Sequence, residues 1–339
     1  MKGGKKMKIA IWSHPLKDFP EGKEDIKVTF EKLAKGGVEI YLPFIYGKGA
    51  EYDSKIIRGE KKDLLTPILE EAEKYEIEVH PIVLPFSGET YLTGEDEIKL
   101  SKRRYHTAEE ITNEGRICAS WIENRERGIR ITKDIIENYG NQIKGIHLDG
   151  IRYVDTGTSL THPCLCEACC SEYKKWWGSK EFKAENLNNP GRVYKFIKFR
   201  NNNIKSLVEK IREITRNKNL QLSIAARSDY LGSALVEGQD WIEWIKEGLL
   251  DFACAMNYTT NSQHHKERVK EHIELIENKN VYYDGIGRKS SAGEITPREM
   301  IRQIEDSMEL GVKGICIFHL NALGDEDFKE LSSLKSRHS

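Results

Sequence analysis

Short apolar runs rich in β-branched residues alternate with stretches of helical periodicity, and this alternation constrains the fold more than any other feature. Eight runs have the length and composition of strands, and a helical stretch follows each. The predicted strands are Lys8–Ser13, Val38–Leu42, Glu78–Leu84, Gly145–Leu148, Gln221–Ala225, Phe252–Met256, Val281–Gly285 and Gly314–Phe318. The predicted helices are Lys23–Lys35, Lys61–Tyr75, Arg127–Tyr139, Val193–Thr215, Asp240–Glu247, His265–Glu277, Pro297–Leu310 and Glu326–Leu334.

The predicted strands are almost continuously apolar rather than alternately apolar and polar, which is typical of a parallel sheet buried on both faces. Strand–helix units with right-handed crossovers close readily into a ring. An open doubly wound sheet is the alternative, but no G-x-G-x-x-G motif follows the first strand, where a dinucleotide site needs it. The sequence therefore predicts an α/β protein with a (β/α)8 TIM barrel.

The chain of 339 residues is longer than one such barrel, which takes about 250 residues. Two long connections account for the difference: residues 85–124 after the third predicted strand and residues 153–190 after the fourth. No Pro/Ser-rich linker interrupts the chain, so we expect residues 1–339 to form a single domain. Both insertions leave the carboxyl ends of strands, the side on which barrel enzymes place their active sites.

Composition and charge exclude several classes of protein. The 53 Lys and Arg residues balance 54 Asp and Glu residues, so bulk charge gives no attraction for nucleic acid or an anionic membrane. No window approaches the roughly 18 apolar residues of a membrane span, and no signal-peptide run of about 7–15 apolar residues opens the chain. The seven cysteines are odd in number and clustered, which is typical of a reducing compartment. We therefore expect a cytoplasmic protein without nucleic-acid or membrane partners.

A carboxylate closes the fourth predicted strand, in the segment Ile143–Tyr153. The carboxyl end of a barrel strand lies at the mouth of the barrel, so we expect Asp149 there. The positive charge of Arg152, three residues later, would keep this carboxylate ionised. Paired carboxylates at such a mouth can cleave a glycosidic bond. The alternative is that Asp149 only caps the following turn or pairs with a cation in the barrel floor.

The same segment resembles the DGIHLDYIRYP signature of uncharacterised glycosyl-hydrolase-like barrels, the family-10-like glycosidases related to poly-N-acetylglucosamine hydrolase domains. It departs from the signature after Tyr153, where Val154 and Asp155 stand in place of proline. The resemblance implies a TIM barrel with carbohydrate-active chemistry and with Asp149 as a principal catalytic carboxylate. Further segments that resemble these proteins, in the same order, are Ser120–Asn124, Gln239–Trp244, Met256–Tyr258 and Tyr283–Gly287.

A second acid is needed if Asp149 acts as nucleophile or general base. Asp229 follows the fifth predicted strand, and neighbouring strand ends can place two carboxylates about 5–9 Å apart, as glycosidases require. Glu123 and Asp155 are further candidates. Asp229 could instead be a solvated loop acid paired with Arg227. An N-acetylated sugar could also assist its own cleavage, in which case one acid suffices.

Aromatic and polar side chains follow several strands, and we expect them to converge on the rim around Asp149. Sugars present flat apolar faces fringed by hydroxyl groups, so aromatic rings with amide, imidazole and guanidinium donors suit them. Any one of these residues alone is more readily explained as a core or rim filler, so the prediction depends on their convergence. The predicted substrate-binding residues are Trp12, His14, Tyr46, Trp121, Arg152, Tyr153, Arg227, Asn257, Tyr258 and His319.

The cysteines between residues 164 and 170 form the other prominent motif. Cys166-x-x-Cys169 has zinc-knuckle spacing, and Cys164, Cys170 and His162 offer further ligands. A structural zinc ion would stabilise a long loop that has little core of its own. Disulfide bonds and free packed thiols are the alternatives. No H-E-x-x-H motif is present, so we expect no catalytic zinc and no cofactor required for catalysis.

These observations favour a glycoside hydrolase that cleaves an oligosaccharide or polysaccharide, with Asp149 and Asp229 as the catalytic pair. Two alternatives use the same barrel mouth: a non-catalytic barrel that binds carbohydrate, and a sugar isomerase or lyase. The sequence contains no G-x-x-x-x-G-K-[ST] or G-x-S-x-G motif, which argues against an NTPase or a nucleophile-elbow esterase.

Overall fold

The structure, a computed structural model, describes residues 7–107, 113–153, 163–177 and 187–338. Its strands, numbered along the chain, are β1 (Lys8–Ser13), β2 (Val38–Pro43), β3 (Glu78–Val79), β4 (Ile82–Val83), β5 (Arg104–Tyr105), β6 (Asn113–Ile117), β7 (Gly145–Leu148), β8 (Gln221–Ala226), β9 (Phe252–Met256), β10 (Tyr282–Gly287), β11 (Lys289–Ser290), β12 (Gly293–Glu294) and β13 (Gly314–Phe318).

Nine of these strands form one parallel sheet with the order β3-β2-β1-β13-β10-β9-β8-β7-β4. β3 and β4 are the two halves of the predicted third strand, separated by His80 and Pro81. β3 pairs with β2, whereas β4 pairs with β7. Both edges of the sheet therefore belong to one segment of chain, and the sheet curls until its edges meet. The predicted α/β class, with parallel strands alternating with helices, is confirmed.

Proline divides the third strand because its backbone has no N–H to give to a ladder. The N–H of His80 bonds to the carbonyl of Tyr41 in β2 at 2.9 Å, and the carbonyl of Pro81 accepts the N–H of His147 in β7 at 3.0 Å. Pro81 cannot return a bond to β7, so the ladder is interrupted there. The prediction of one continuous strand over Glu78–Leu84 was therefore wrong, because the structure has two short strands there.

Helices follow the strands and cover the outer face of the sheet. They are α1 (Pro15–Asp18), α2 (Lys23–Lys35), α3 (Leu65–Lys74), α4 (Glu97–Ser101), α5 (Ile122–Tyr139), α6 (Glu167–Trp177), α7 (Pro190–Arg216), α8 (Trp241–Lys246), α9 (Ser262–Leu275), α10 (Pro297–Glu309) and α11 (Asp325–His338). Shorter turns are a π-helical turn at Tyr230–Ala234 and 3₁₀ turns at Lys279–Val281 and Leu320–Ala322. All eight predicted helices are present, and α5 begins at Ile122 rather than at Arg127.

Side chains of the parallel strands alternate between two apolar layers, because successive residues of a strand point to opposite faces. One layer lies between the sheet and the helices and includes Ile146 and Leu148 of β7. The other fills the interior of the curled sheet. Its buried members are Ala10, Trp12, Ile40, Leu42, Ile82, Ala225, Phe252, Cys254, Tyr283 and Cys316.

The interior is tightly packed at the amino ends of the strands. Tyr283 stacks on Phe252 with ring centroids 4.3 Å apart. Gly314 lies directly opposite Tyr283 in the ladder, and a Cβ at that position would lie 2.3 Å from the tyrosine ring. Only glycine therefore leaves room for the ring, and this layer forms a solid floor beneath the opposite, carboxyl end of the sheet.

The two long connections both leave carboxyl ends of strands. The first, after β4, carries α4 and the antiparallel pair formed by β5 and β6. The second, after β7, carries α6, while residues 154–162 and 178–186 lie outside the described residues. None of the described helices is both long enough and apolar enough to cross a membrane.

Candidate active site

Asp149 lies at the carboxyl end of β7, where its backbone N–H bonds to the carbonyl of Val83 in β4 at 3.0 Å. Two residues earlier, His147 points into the interior. Its Nδ1 lies 2.8 Å from the hydroxyl oxygen of Ser223, and its Nε2 accepts the indole N–H of Trp12 at 3.1 Å. Side chains two residues apart in a strand share a face, so Asp149 points into the mouth above this interior. Its side chain is 21% exposed. Asp149 is therefore both anchored by the sheet and open to solvent.

Positive charge surrounds Asp149. Its Oδ1 accepts the N–H of Gly150 at 2.6 Å and lies 3.7 Å from Nη1 of Arg152. Arg116 of β6 reaches the same turn, with Nη1 3.4 Å from the carbonyl oxygen of Gly150. Burial lowers the pKa of Arg116, and the charge of Arg152 lowers it further. Arg116 was not predicted, because a residue in a long insertion carries no sign of where its side chain will lie.

A second carboxylate, Glu237, lies on the other side of Arg152. The Nε of Arg152 is 3.5 Å from its Oε2. Arg227, which follows β8, donates to both oxygens of Glu237 at 3.0 Å. Glu237 is only 2% exposed, so it acts as a buried anchor for two arginines that the sequence predicted at the rim. Glu237 was not predicted, because Arg152 and Arg227 are far apart in the chain and the sequence does not show that they share a counter-ion.

Aromatic rings form a continuous arc around the mouth. Phe44 after β2 stacks on His14 with centroids 4.4 Å apart, and His14 meets His319 edge-on at 5.7 Å. His319 lies 4.7 Å from Phe318, which stacks on Tyr258 at 5.2 Å. Three predicted rim residues, from the ends of β1, β9 and β13, thus lie together, and the arc also includes two phenylalanines that were not predicted.

Two other predicted rim residues form the floor rather than the rim. Trp12 is 1% exposed and meets Phe318 and Tyr258 edge-on from below, at 6.0 and 6.3 Å. Tyr46 is 4% exposed, and its hydroxyl accepts the backbone N–H of Leu84. Burial raises the pKa of Tyr46, and the charge of Asp149 contributes to this shift. Trp12 therefore supports the arc from beneath, and Tyr46 holds the backbone of Leu84.

Burial sets the protonation state of His14. It lowers the pKa of His14 to about 4, His319 and Lys17 lower it further, and Asp149 opposes the shift. Burial likewise lowers the pKa of His319. Both imidazoles are therefore neutral at pH 7, so each can donate one hydrogen bond and accept another.

A cleft of about 630 Å³ extends from this arc, between the loops that follow β1, β2 and β4. His14, Phe44, Tyr46 and Glu51 are among its lining residues. Burial raises the pKa of Glu51 to about 7, and Asp18 adds to the shift. Its buried Oε2 has no hydrogen-bond partner among the residues that the structure describes. A carboxyl group that holds its proton near neutrality can act as a general acid.

Asn257 does not reach the mouth, and the prediction of a rim role for it was wrong. It is fully buried, and its side-chain amide donates to the hydroxyl of Tyr282 and to Oδ1 of Asp284, both at 2.8 Å. Met256 and Tyr258 face the interior, so Asn257 between them faces the helices. There Asp284 also contacts His265 at 3.0 Å.

Tyr153 and Trp121 also lie away from the arc. Tyr153 is 2% exposed, and its hydroxyl contacts Ser120 and Asn203, both at 2.8 Å. Trp121 precedes α5 and lines a separate surface cleft of about 430 Å³. Glu123, one of the further candidates for the second acid, lines the same cleft. Neither aromatic residue is placed to stack on a sugar held above Asp149.

Asp229 is exposed and caps the π-helical turn that follows it. Its Oδ1 accepts the N–H of Gly232 at 2.9 Å, and its Oδ2 lies 3.3 Å from the hydroxyl of Ser233. No ion pair joins Asp229 to Arg227 among the described contacts. Asp155 and His162 lie outside the described residues.

The cysteines form a buried group whose membership differs from the prediction. Cys118, Cys164, Cys166 and Cys169 bring their sulfur atoms within 4.8 Å of one another. Cys170 is directed away, with its thiol donating to the carbonyl of Leu165 at 3.2 Å. The fourth member is therefore Cys118, at the end of β6.

No protein-family model and no curated protein matches the sequence. Among solved structures, the glycoside hydrolase domain of PgaB (BpsB) from Bordetella bronchiseptica matches with a TM-score of 0.72 and 10% identity, over 98% of this chain and 99% of that one. The β-galactosidase from Rahnella sp. R3 matches with a TM-score of 0.70 and 12% identity, over 98% of this chain and 56% of that one.

The spore cortex-lytic enzyme SleL from Bacillus megaterium QM B1551 matches with a TM-score of 0.53 and 7% identity, over 98% of this chain and 74% of that one. This chain spans just over half the length of the β-galactosidase and nearly the whole PgaB domain. The chain therefore shares its fold with glycoside hydrolases. Sequence identities this low support a conclusion about the fold alone.

Proposed function

We propose that this protein is a glycoside hydrolase that cleaves an oligosaccharide or polysaccharide, with Asp149 as the principal catalytic carboxylate. One observation carries the proposal: a solvent-accessible carboxylate lies at the mouth of a curled parallel sheet, beside an arc of aromatic rings. The likeness of fold to glycoside hydrolases supports it, as does the resemblance of Ile143–Tyr153 to the family-10-like glycosidases.

The arc supplies the contacts that a sugar ring needs. The faces of Phe44 and Tyr258 are apolar and can pack against the C–H faces of a pyranose. His14 and His319, neutral at pH 7, donate and accept hydrogen bonds with the hydroxyl groups at its edge. The substrate therefore lies across the mouth, with its scissile bond above Asp149.

Hydrolysis by this class of enzyme takes two carboxyl groups in different protonation states. Asp149, whose Oδ1 lies 3.7 Å from Nη1 of Arg152, serves as the carboxylate at the mouth. Glu51 is our candidate for the general acid, because burial raises its pKa to about 7 and so leaves a large fraction of this carboxyl group protonated at neutral pH. We prefer Glu51 to Asp229 because Asp229 is occupied in capping its own turn. The glycosidic C–O bond breaks as the general acid gives its proton to the departing sugar; the oxygen of water ends on the anomeric carbon, and the proton that this water loses restores the acid.

The test is release of reducing ends from a panel of glycans that includes β-galactosides and poly-N-acetylglucosamine. We expect Asp149→Asn to lower turnover by at least about 100-fold, the usual contribution of a positioned acid or base. The far-ultraviolet circular dichroism spectrum should not change, because asparagine keeps the acceptor for Gly150 N–H. Full turnover in this variant would refute the assignment.

Asp229→Asn separates the two choices of second acid. Asparagine caps a helix about as well as aspartate, so this variant should fold normally. We expect it to keep wild-type turnover, and a loss comparable to that of Asp149→Asn would restore Asp229 as the second acid. Binding of a glycan without turnover by the wild-type protein would instead favour the carbohydrate-binding alternative.

A further inference from the structure

Four buried cysteines, contributed by the two long connections, converge in the interior. Cys118 lies just after β6, Cys164 and Cys166 lie in the loop that precedes α6, and Cys169 lies in the first turn of that helix. Each is at most 3% exposed. We infer that these four residues bind one structural zinc ion. The inference does not depend on the proposed hydrolase activity.

The spacing of the sulfur atoms fits tetrahedral coordination. With Zn–S bonds of about 2.3 Å, the ligands of a tetrahedral site lie about 3.8 Å apart. The Sγ atoms of Cys118 and Cys169 are 3.6 Å apart, and all four sulfurs lie within 4.8 Å of one another. A disulfide would need two sulfurs about 2.05 Å apart. The group is therefore sized for an ion at its centre.

Ser120 contacts two of the four sulfur atoms. The backbone N–H of Ser120 donates to Cys118 Sγ at 3.5 Å, and the Ser120 hydroxyl lies 2.9 Å from Cys169 Sγ. Donors in this outer position orient metal-bound ligands and offset the charge of thiolates. If Cys169 binds a metal as a thiolate, the Ser120 hydroxyl is the donor in this contact.

Arg200 supplies an independent observation. This residue of α7 is fully buried and stacks on Tyr153 and Phe196, with its guanidinium carbon 4.7 and 4.1 Å from the ring centroids. Its Nη atoms bond to the carbonyl of Val236 and the hydroxyl of Tyr105, both neutral, and its Nε has no partner within the described part of the chain. None of the described ion pairs gives Arg200 a carboxylate.

A buried cation needs a counter-charge, because an unpaired charge in a low-dielectric interior is costly. Arg200 stacks on Tyr153, whose hydroxyl contacts Ser120, and the Ser120 hydroxyl lies 2.9 Å from Cys169 Sγ. Zinc bound by four thiolates carries a net negative charge and provides the missing partner. Four protonated thiols would not.

The ion would join the two long connections that flank the mouth. Cys118 belongs to the connection after β4, and the other three ligands belong to the connection after β7. Ser120 continues the link through its 2.8 Å contact with Tyr153, whose backbone N–H bonds to the carbonyl of Glu237. Because protein sulfur fills all four positions, none is open for substrate, and the role is structural.

Metal content tests the inference directly. The untagged protein should contain about one zinc per chain by plasma mass spectrometry, since four ligands complete one site. Cobalt exchanged into the site should show thiolate-to-metal charge-transfer absorption. Cys118→Ser should lose most of the metal, whereas Cys170→Ser, adjacent to the group but directed away from it, should keep it.

Two results would overturn the inference. One is wild-type protein that contains no zinc and whose cysteines all react with a thiol reagent after unfolding in chelator. The other is a disulfide among the four cysteines, detected by mass spectrometry of non-reduced peptides. Because Cys118→Ser can misfold, zinc release on titration of the wild-type thiols, followed by a metallochromic dye, gives a readout that needs no variant.

Discussion

Replacing Glu51 by glutamine should stabilise the protein at alkaline pH and impair hydrolysis. Burial raises the pKa of Glu51 from its ordinary 4.5 to about 7. Because this pKa is raised in the folded state, the protonated carboxyl group makes its full contribution to the free energy of unfolding below pH 4.5. It is lost as the pH rises through about 7, because the folded protein must then hold a poorly solvated carboxylate.

The size of the effect follows from the shift. Each pKa unit corresponds to about 1.4 kcal/mol, so the ionised side chain costs the folded state up to about 3 kcal/mol above pH 7. Partial exposure of the side chain reduces this to about 1.5–3 kcal/mol through solvent screening. The entropy of unfolding, about 2.1 cal/mol/K per residue, gives about 0.7 kcal/mol/K for this chain, so Tm should rise by about 2–4 °C.

Thermal unfolding of Glu51→Gln and the wild-type protein at pH 5 and pH 8.5 measures the difference. We expect a gain in Tm at pH 8.5 that shrinks at pH 5, together with loss of the alkaline limb of the hydrolysis rate. Glu60→Gln is the matched control, because Glu60 lines the same cleft but is exposed. An equal Tm for Glu51→Gln and wild type at both pH values would refute the reasoning from burial.

Three further substitutions test other parts of the structure. Asp284→Asn breaks a fully buried pair with His265 and should lower the free energy of unfolding by about 3–5 kcal/mol in urea titrations; a change below about 1 kcal/mol would contradict the pairing. Tyr258→Ala removes one end of the aromatic arc and should raise KM for a glycan more than it lowers kcat, whereas an unchanged KM would exclude stacking there. Gly314→Ala places a methyl group 2.3 Å from the Tyr283 ring and should abolish soluble expression at 37 °C, a result that Gly314→Ala paired with Tyr283→Ala should reverse.

The strands could be predicted from the sequence because each is buried on both faces and so forms an uninterrupted apolar run. The same property hides which residues face inward. Asn257 and Tyr258 are the first two residues after the same apolar strand, yet Asn257 faces the helices and Tyr258 faces the mouth. That alternation can be assigned only when the register with neighbouring strands is known.

The burial of loop residues could not be predicted from the sequence, because it depends on which other segments of the chain pack over each loop. Glu51 and Glu237 stand in polar stretches that look solvated, yet both side chains are largely removed from water. Cys118 was not predicted as a member of the group, because it lies 51 residues before Cys169 and outside the cluster between residues 164 and 170. Local spacing identified part of the group and tertiary structure supplied its last member.

The divided third strand has a consequence for how this protein holds its candidate site. The two edges of the curled sheet are short strands of two residues each, β3 and β4, with backbone bonds at His80 and Pro81 between them. The bond from Asp149 N–H to Val83 is part of the pairing of β4 with β7. The backbone position of the candidate carboxylate therefore depends on one of the shortest strand pairings in the sheet.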